Sequence, residues 1–425
     1  MNPSRPNRTR ALILAALLPS AAQAQFPSGR FDAAGTAVFR PEQKLVDNEP
    51  PLGFSFAKAI DISGDTLVVG QPDITDPFVF SGRVLVYGRA GGSWVLEQTL
   101  FPSDVRPYVL FGEHVAIDGD LMLVDAPFTG RFGTPTGPGT IYAFERQDGI
   151  WVETQKIQGA VPGFGLGCAL SGRRAVTRGK DGKGVFTYKR ENGVWIQDQE
   201  LAVSGPFSSF GGVLAMDGET VAVSSFLEFS AFIFRNTAGT WNLEARARTD
   251  LFDESNIESS FAGTLTLSGD RLVLGVPLTG SDGPGLFNSG AVAVFRRTGE
   301  VWRHEADLAP GALGVNNFFG ESVQLQGNLL VVGSDFQAND LLHSGGVFAF
   351  SYGPRGWKRI AMLTAPVPQI AANFGKALAL DGSRLLIAAP EEDVITALGV
   401  SGVGALYPFR VVGQLQPASR AARRP

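Results

Sequence analysis

Only one cysteine, Cys168, and three histidines occur in this chain. One thiol excludes an internal disulfide. Three histidines without His-x-x-x-His spacing give no basis for a zinc site. Positive charge is not in excess either: the formal net charge is −5, leaving no electrostatic case for a nucleic-acid partner. After the N-terminal leader, no run approaches the roughly 18 apolar residues that a spanning helix needs, so membrane insertion is not expected.

Residues 1–24 carry Arg5, Arg8 and Arg10 and no acid, then an apolar stretch over 11–18 and the small-residue sequence Ala22-Gln23-Ala24. This pattern predicts a secretory leader cleaved before Gln25 and an exported chain, periplasmic or extracellular. No cysteine lies near the cleavage point to take a lipid.

Tryptophan is also scarce, but its spacing is regular. Trp94, Trp151, Trp195, Trp241, Trp302 and Trp357 recur about every fifty residues, a period that signals a repeat architecture. A second row, Phe56, Phe111, Phe164, Phe210, Phe261, Phe319 and Phe374, opens seven units, followed directly by Gly in five of them. Alternating apolar residues follow, as in Val115-Ala116-Ile117, which reads as a strand. Eight residues past each Phe stands a glycine: Gly64, Gly119, Gly172, Gly218, Gly269, Gly327 and Gly382. Such recurrence predicts a hairpin with positive φ, and flanking acids such as Asp118, Asp217 and Asp381 are expected to act as turn formers.

A solid apolar stretch such as Leu67-Val68-Val69 then predicts a strand covered on both faces, followed by a loop of variable length, a third strand and the Trp strand. Seven four-stranded antiparallel units predict an all-β, seven-bladed β-propeller. Phe39 occupies the spacing of the Trp row, whereas the last unit runs from Ala405 into Val411 without a Trp. The N-terminal strand is therefore expected to complete the last blade and close the ring. The expected boundaries are a leader over 1–24, the propeller over 25–410 and a disordered tail over 411–425.

The Phe-Gly openings, the Gly-Asp hairpins, the apolar stretches ending in Pro and the Trp strand together resemble FG-GAP repeats, as in Phe111-Gly112-Glu113-His114-Val115-Ala116-Ile117-Asp118-Gly119-Asp120. These are the propeller repeats of integrin α-subunit heads and of many exported bacterial proteins. The resemblance spans nearly the whole mature chain, and implies an extracytoplasmic binding or adhesion scaffold without catalytic chemistry. Some members carry a calcium loop of spaced acids. The hairpins here are short, as in Ser63-Gly64-Asp65, and lack the oxygens such a cage needs. No cofactor or metal is expected.

Strand order places tight hairpins on one rim and long, irregular connections on the other, where repeat scaffolds put recognition. The candidate ligand-binding residues on those loops are Asp73, Asp76, Asp335, Asp340, His343, Glu391, Glu392 and Asp393. Their charge suits a cation or a basic ligand, and equally a plain solvated loop. Cys168 stands in an apolar row and reads as a small core residue. The basic third unit, with Arg173, Arg174, Arg178, Lys180 and Lys183, reads as a solvated edge or an anionic docking spot. The Trp row reads as blade-to-blade packing rather than sugar stacking. The expected function is a monomeric binding or adhesion module for a protein or glycan, not an enzyme. The alternatives are a propeller-fold hydrolase or lyase acting on polysaccharide, and a purely structural surface protein.

Overall fold

A computed structural model describes residues 37–47, 56–74, 78–127, 138–159, 161, 163–179, 184–205, 209–225, 228, 230–249, 251, 264–278, 288–310, 317–334, 344–396, 399–401 and 404–413. The predicted leader, Phe261 and residues 414–425 lie outside them. Among the described residues there is no helix, and seven four-stranded antiparallel sheets form the blades. Blade 1 runs through Ala59–Ser63, Thr66–Gln71, Arg83–Ala90 and Ser93–Leu100, in spatial order from the axis outward. Blade 7 combines Leu378–Asp381, Arg384–Ala389 and Ala405–Val412 with the N-terminal strand Val38–Pro41, in which Phe39 lies opposite Val411. The third strand of this blade thus runs two residues past the boundary expected at 410. Its long loop also holds a small hairpin, Val394–Thr396 with Gly399–Ser401, which the sequence pattern did not suggest.

The core is divided among seven apolar layers, one in each seam between neighbouring blades. Second strands such as Leu329–Ser334 are buried throughout, as a strand covered on both faces requires. Every Trp packs in the seam with the preceding blade, and Phe39 does the same in the last one. The six opening phenylalanines among the described residues are buried in these layers too. Phe319 meets Phe348 edge-on at 5.3 Å between ring centroids, and its N–H donates to Ser289 O at 3.2 Å. This backbone approach needs Gly290 beside it, because a Cβ there would overlap the Phe319 main chain, and φ is +80°.

The Trp strands hold a device that the repeat pattern hid. In blades 1–6 the pairing of third and fourth strands slips by one residue, leaving Glu97, Thr154, Asp198, Glu244, Glu305 or Ile360 as the bulged residue. A bulge re-aims its side chain, and the acidic ones here turn toward the following blade. Asp198 accepts from Trp241 Nε1 at 3.1 Å, Glu244 from Trp302 at 3.0 Å and Glu305 from Trp357 at 3.1 Å. Glu42, on the N-terminal segment, accepts from Trp94 at 3.1 Å.

An arginine completes each of these four pairs, but its source alternates. Arg89 and Arg297, on third strands of the following blade, bind Glu42 and Glu244. Blades 4 and 6 have Asn236 and Tyr352 in that row. There Arg174 and Arg271 reach Asp198 and Glu305 from the second strand of the preceding blade, at 2.8 and 2.9 Å. At the last seam both halves of the Trp latch are gone together: Ile360 has no carboxylate and the Phe39 ring has no N–H.

Candidate functional site

The first strands of the seven blades surround an axial channel of about 820 Å³. Its wall includes the residues just before the hairpin glycines, and these correct the expectation that the acids there are turn formers. Asp118 accepts from Gly172 N at 2.6 Å, Asp217 from Gly269 N at 2.6 Å and Asp381 from Gly64 N at 2.7 Å, each in the next blade. Ser63 and Ser171 do the same for Gly119 and Gly218, both at 2.9 Å. A turn former would bond within its own hairpin. These side chains instead cross the seam. The Asp381 bond crosses the junction between the last blade and the first.

Asp61 is the one acid in its row of the channel wall, where blades 2–6 have Ala116, Ala169, Ala215, Thr266 and Gln324. Its two oxygens accept from Ile62 N and Ile117 N, both at 2.8 Å. Desolvation pushes its carboxyl up to about 7, against the lowering effect of these two bonds, with Asp381 and Asp118 adding repulsion. A folded-state value above the unfolded one makes this group's contribution to stability greatest below about pH 4, and that contribution falls as pH rises through 7. Because Asp61 is half-buried and faces a channel wide enough for water, the slope is expected to be roughly 1–2 kcal/mol between pH 4 and 8, less than the full shift implies. Chemical denaturation of wild type and Asp61→Asn across that range checks this. Parallel curves for the two proteins would rule out the assignment.

At the long-loop end of the inner strands, His114 Nδ1 bonds Asp125 Oδ2 at 2.7 Å, and His114 N donates to Asp125 Oδ1 at 2.6 Å. Burial opposes charge on the ring, but the attraction and hydrogen bond of Asp125 outweigh it and raise the imidazole above its usual range. Cys168 is close by, with Sγ 4.0 Å from Leu123 O. Burial, with Asp125 and Asp61 adding, pushes its thiol well up, which fits a packing residue rather than a nucleophile.

Of the loop residues expected to bind a ligand, Asp76, Asp335, Asp340 and His343 lie outside the described residues. Asp73 stands 3.8 Å from Lys58. Glu391 and Asp393 are exposed, whereas Glu392 between them is buried, accepting from Lys44 Nζ at 2.7 Å and from Tyr407 Oη at 2.7 Å. Glu392 therefore ties the N-terminal segment to the last blade, and is not presented to a ligand. None of these four described residues lines the channel.

The same rim carries exposed aromatics, which a search for charge passes over. Phe78, Val79 and Phe80 in the blade 1 loop and Phe101 in the next linker are all at least 40% exposed. Val79 and Phe80 are held by main-chain bonds to that linker, Tyr108 N to Val79 O at 2.8 Å and Leu110 N to Phe80 O at 3.1 Å. The signal for them was in the sequence, as an apolar run inside a loop.

A family model described as FG-GAP repeat matches residues 94–144, from the Trp strand of blade 1 to the third strand of blade 2. No curated protein matches the chain. Among solved structures, the WD40 repeats of RRP9 are similar, with TM-score 0.55 and 12% identity over 89% of this chain and 98% of that one. The WD40 domain of Toxoplasma gondii coronin gives TM-score 0.55 and 9% identity over 91% and 89%. A putative 6-phosphogluconolactonase from Bacteroides uniformis gives 0.50 and 13% over 73% and 86%. At such identities the likeness is one of fold alone. The FG-GAP repeat matched over residues 94–144 and the closed ring of seven four-stranded blades together support an FG-GAP β-propeller family.

Proposed function

We propose that this protein is an exported binding module that engages a protein or glycan through its long-loop rim. The observation that carries the reading is the set of exposed rings Phe78, Phe80 and Phe101, with the backbone of Val79 and Phe80 pinned by hydrogen bonds to the neighbouring linker. Large rings held in place contribute contact area with little loss of conformational entropy on binding, which suits both protein surfaces and sugar faces. Val367 and Ile370, in the linker before blade 7, add 65% and 75% exposed side chains to the same rim. The acids of the opposite rim are engaged in holding blades together, which supports placing recognition here. No catalytic step is assigned to the chain.

The mature protein, probed against a glycan array and a panel of cell-surface proteins, is expected to show saturable binding that drops at least tenfold in a Phe78→Ser/Phe101→Ser variant, consistent with the loss of one or two aromatic anchors. Both positions are exposed, so the variant should keep its melting temperature. Saturable binding untouched by these changes would place recognition elsewhere.

A further inference from the structure

The axial channel is built in levels, because the first strands of the blades share one register. Asp61, Thr266 and Gln324 pair with Val68, Val273 and Val331, equivalent positions of the second strands, and so stand at one height along the axis. Ala116, Ala169 and Ala215 hold the same height in blades 2–4. The wall at this level thus combines an apolar arc over three consecutive blades with three polar side chains, from blades 5, 6 and 1.

All three polar groups have acceptor capacity left over. Asp61 takes one main-chain N–H on each oxygen, and a carboxylate offers about four lone-pair positions. Gln324 commits its amide nitrogen to Leu378 O at 3.2 Å, which leaves the amide oxygen. Thr266, only 7% exposed, lines the channel with a hydroxyl that has no hydrogen-bond partner among the described residues. Enclosing such a group costs free energy unless a partner is supplied from the channel. One level nearer the hairpin rim, Gln326 Oε1 is likewise enclosed without a partner. The described residues of the wall include no Lys, Arg or His, whereas Asp61, Asp118, Asp217 and Asp381 all belong to it.

We propose that the axial channel binds a small protonated aliphatic amine with a second polar end, its ammonium on the Asp61 carboxylate and its far end hydrogen-bonded by Thr266 and Gln324. The ammonium brings N–H donors to a wall rich in acceptors, and the carbon chain lies on the alanine arc. Asp118, Asp217 and Asp381 are already bonded to the next hairpin, and act only through their field. Desolvation holds the Asp61 carboxyl at about 7, with Asp381 and Asp118 adding to it, and a bound cation opposes all three. The Cys168 thiol beside the channel stays protonated and neutral. The site lies apart from the aromatic rim, so either can fail alone.

Calorimetric titration of the mature chain with ethanolamine and with putrescine, at about pH 8 where Asp61 is ionised, tests this. At least one of the two is expected to saturate a single site per chain. Tetramethylammonium, a cation without N–H, should bind at least tenfold more weakly. Asp61→Asn should weaken binding at least tenfold and Thr266→Val roughly three- to tenfold, as loss of a charge-assisted and a neutral hydrogen bond implies. Wild-type affinity should fall about tenfold for each pH unit below the pKa of Asp61. The Phe78→Ser/Phe101→Ser variant should bind the amine as wild type does. Failure of both amines to saturate, tetramethylammonium binding as tightly as they do, or wild-type affinity in either channel variant overturns the proposal. If Asp61→Asn does not fold, Thr266→Val and the wild-type pH profile decide, and a flat profile overturns it.

Discussion

Deleting residues 25–47 is expected to abolish the cooperative melt of the protein and to drive it into soluble aggregates. Those residues include the outer strand of the last blade, so their loss bares the third strand Ala405–Val412 as an unpaired edge. The loss is more than one strand. Glu42 no longer meets Arg89 and Trp94, Lys44 no longer meets Glu392, and Leu45 leaves the apolar layer of the seam between blades 7 and 1. Asp47, which pairs with Arg83 and Gln71 of blade 1, goes too. With marginal net stability of about 5–15 kcal/mol in typical domains, removing this joint takes the whole of it. Light scattering after size exclusion and calorimetry read the outcome. A synthetic peptide spanning residues 36–48, added during refolding, should restore part of the monomer. A truncated chain that stays monomeric and melts as wild type would refute closure by this strand.

The second large effect is expected at Phe319. Replacing it with Ala leaves a void between Phe348 and Phe350, which both meet its ring edge-on, in a layer where the side chain has no exposure. Such truncations cost about 3–5 kcal/mol, which in a domain of this size lowers the melting temperature by roughly 5–10 °C. Phe78→Ala, at an exposed position, should change stability by less than about 0.5 kcal/mol. Calorimetry on both variants separates the two roles of phenylalanine in this chain. Similar melting temperatures for the two would contradict the account of the seams.

Most of the fold could be read because its determinants repeat in register. Phe, Gly and Trp each mark the same backbone event in unit after unit, and the displaced Phe39 was readable from its fit to the Trp row. Side-chain partnerships across seams were not readable in the same way. Asp118 looked like turn chemistry because its partner, Gly172, lies in the next repeat and is brought near only when consecutive blades stack. The Trp latches depend on a bulge, a one-residue slip that no periodicity reports. His114 and Asp125 could have been found by aligning the second strands, where Gly70, Gly275 and Gly333 share a row with Asp125. The search for loop charge missed the aromatics because it asked only for groups able to hold ions. It included Glu392, whose charge is enclosed by Lys44 and Tyr407.

The alternating origin of the latch arginines bears on how such a ring can be rearranged. Asp198 takes Arg174 from its own blade, whereas Glu244 takes Arg297 from the blade after it. Blade 4 therefore suits only a predecessor that supplies its own guanidinium, and blade 5 suits one that does not. Swapping the two would set Glu244 against Tyr352 of blade 6 with no arginine from either third or second strand, and crowd Arg174 and Arg297 at the joint with blade 3. The heritable module of this propeller is thus the junction, half of one blade with half of the next, and recombination inside a blade should be tolerated better than recombination between blades.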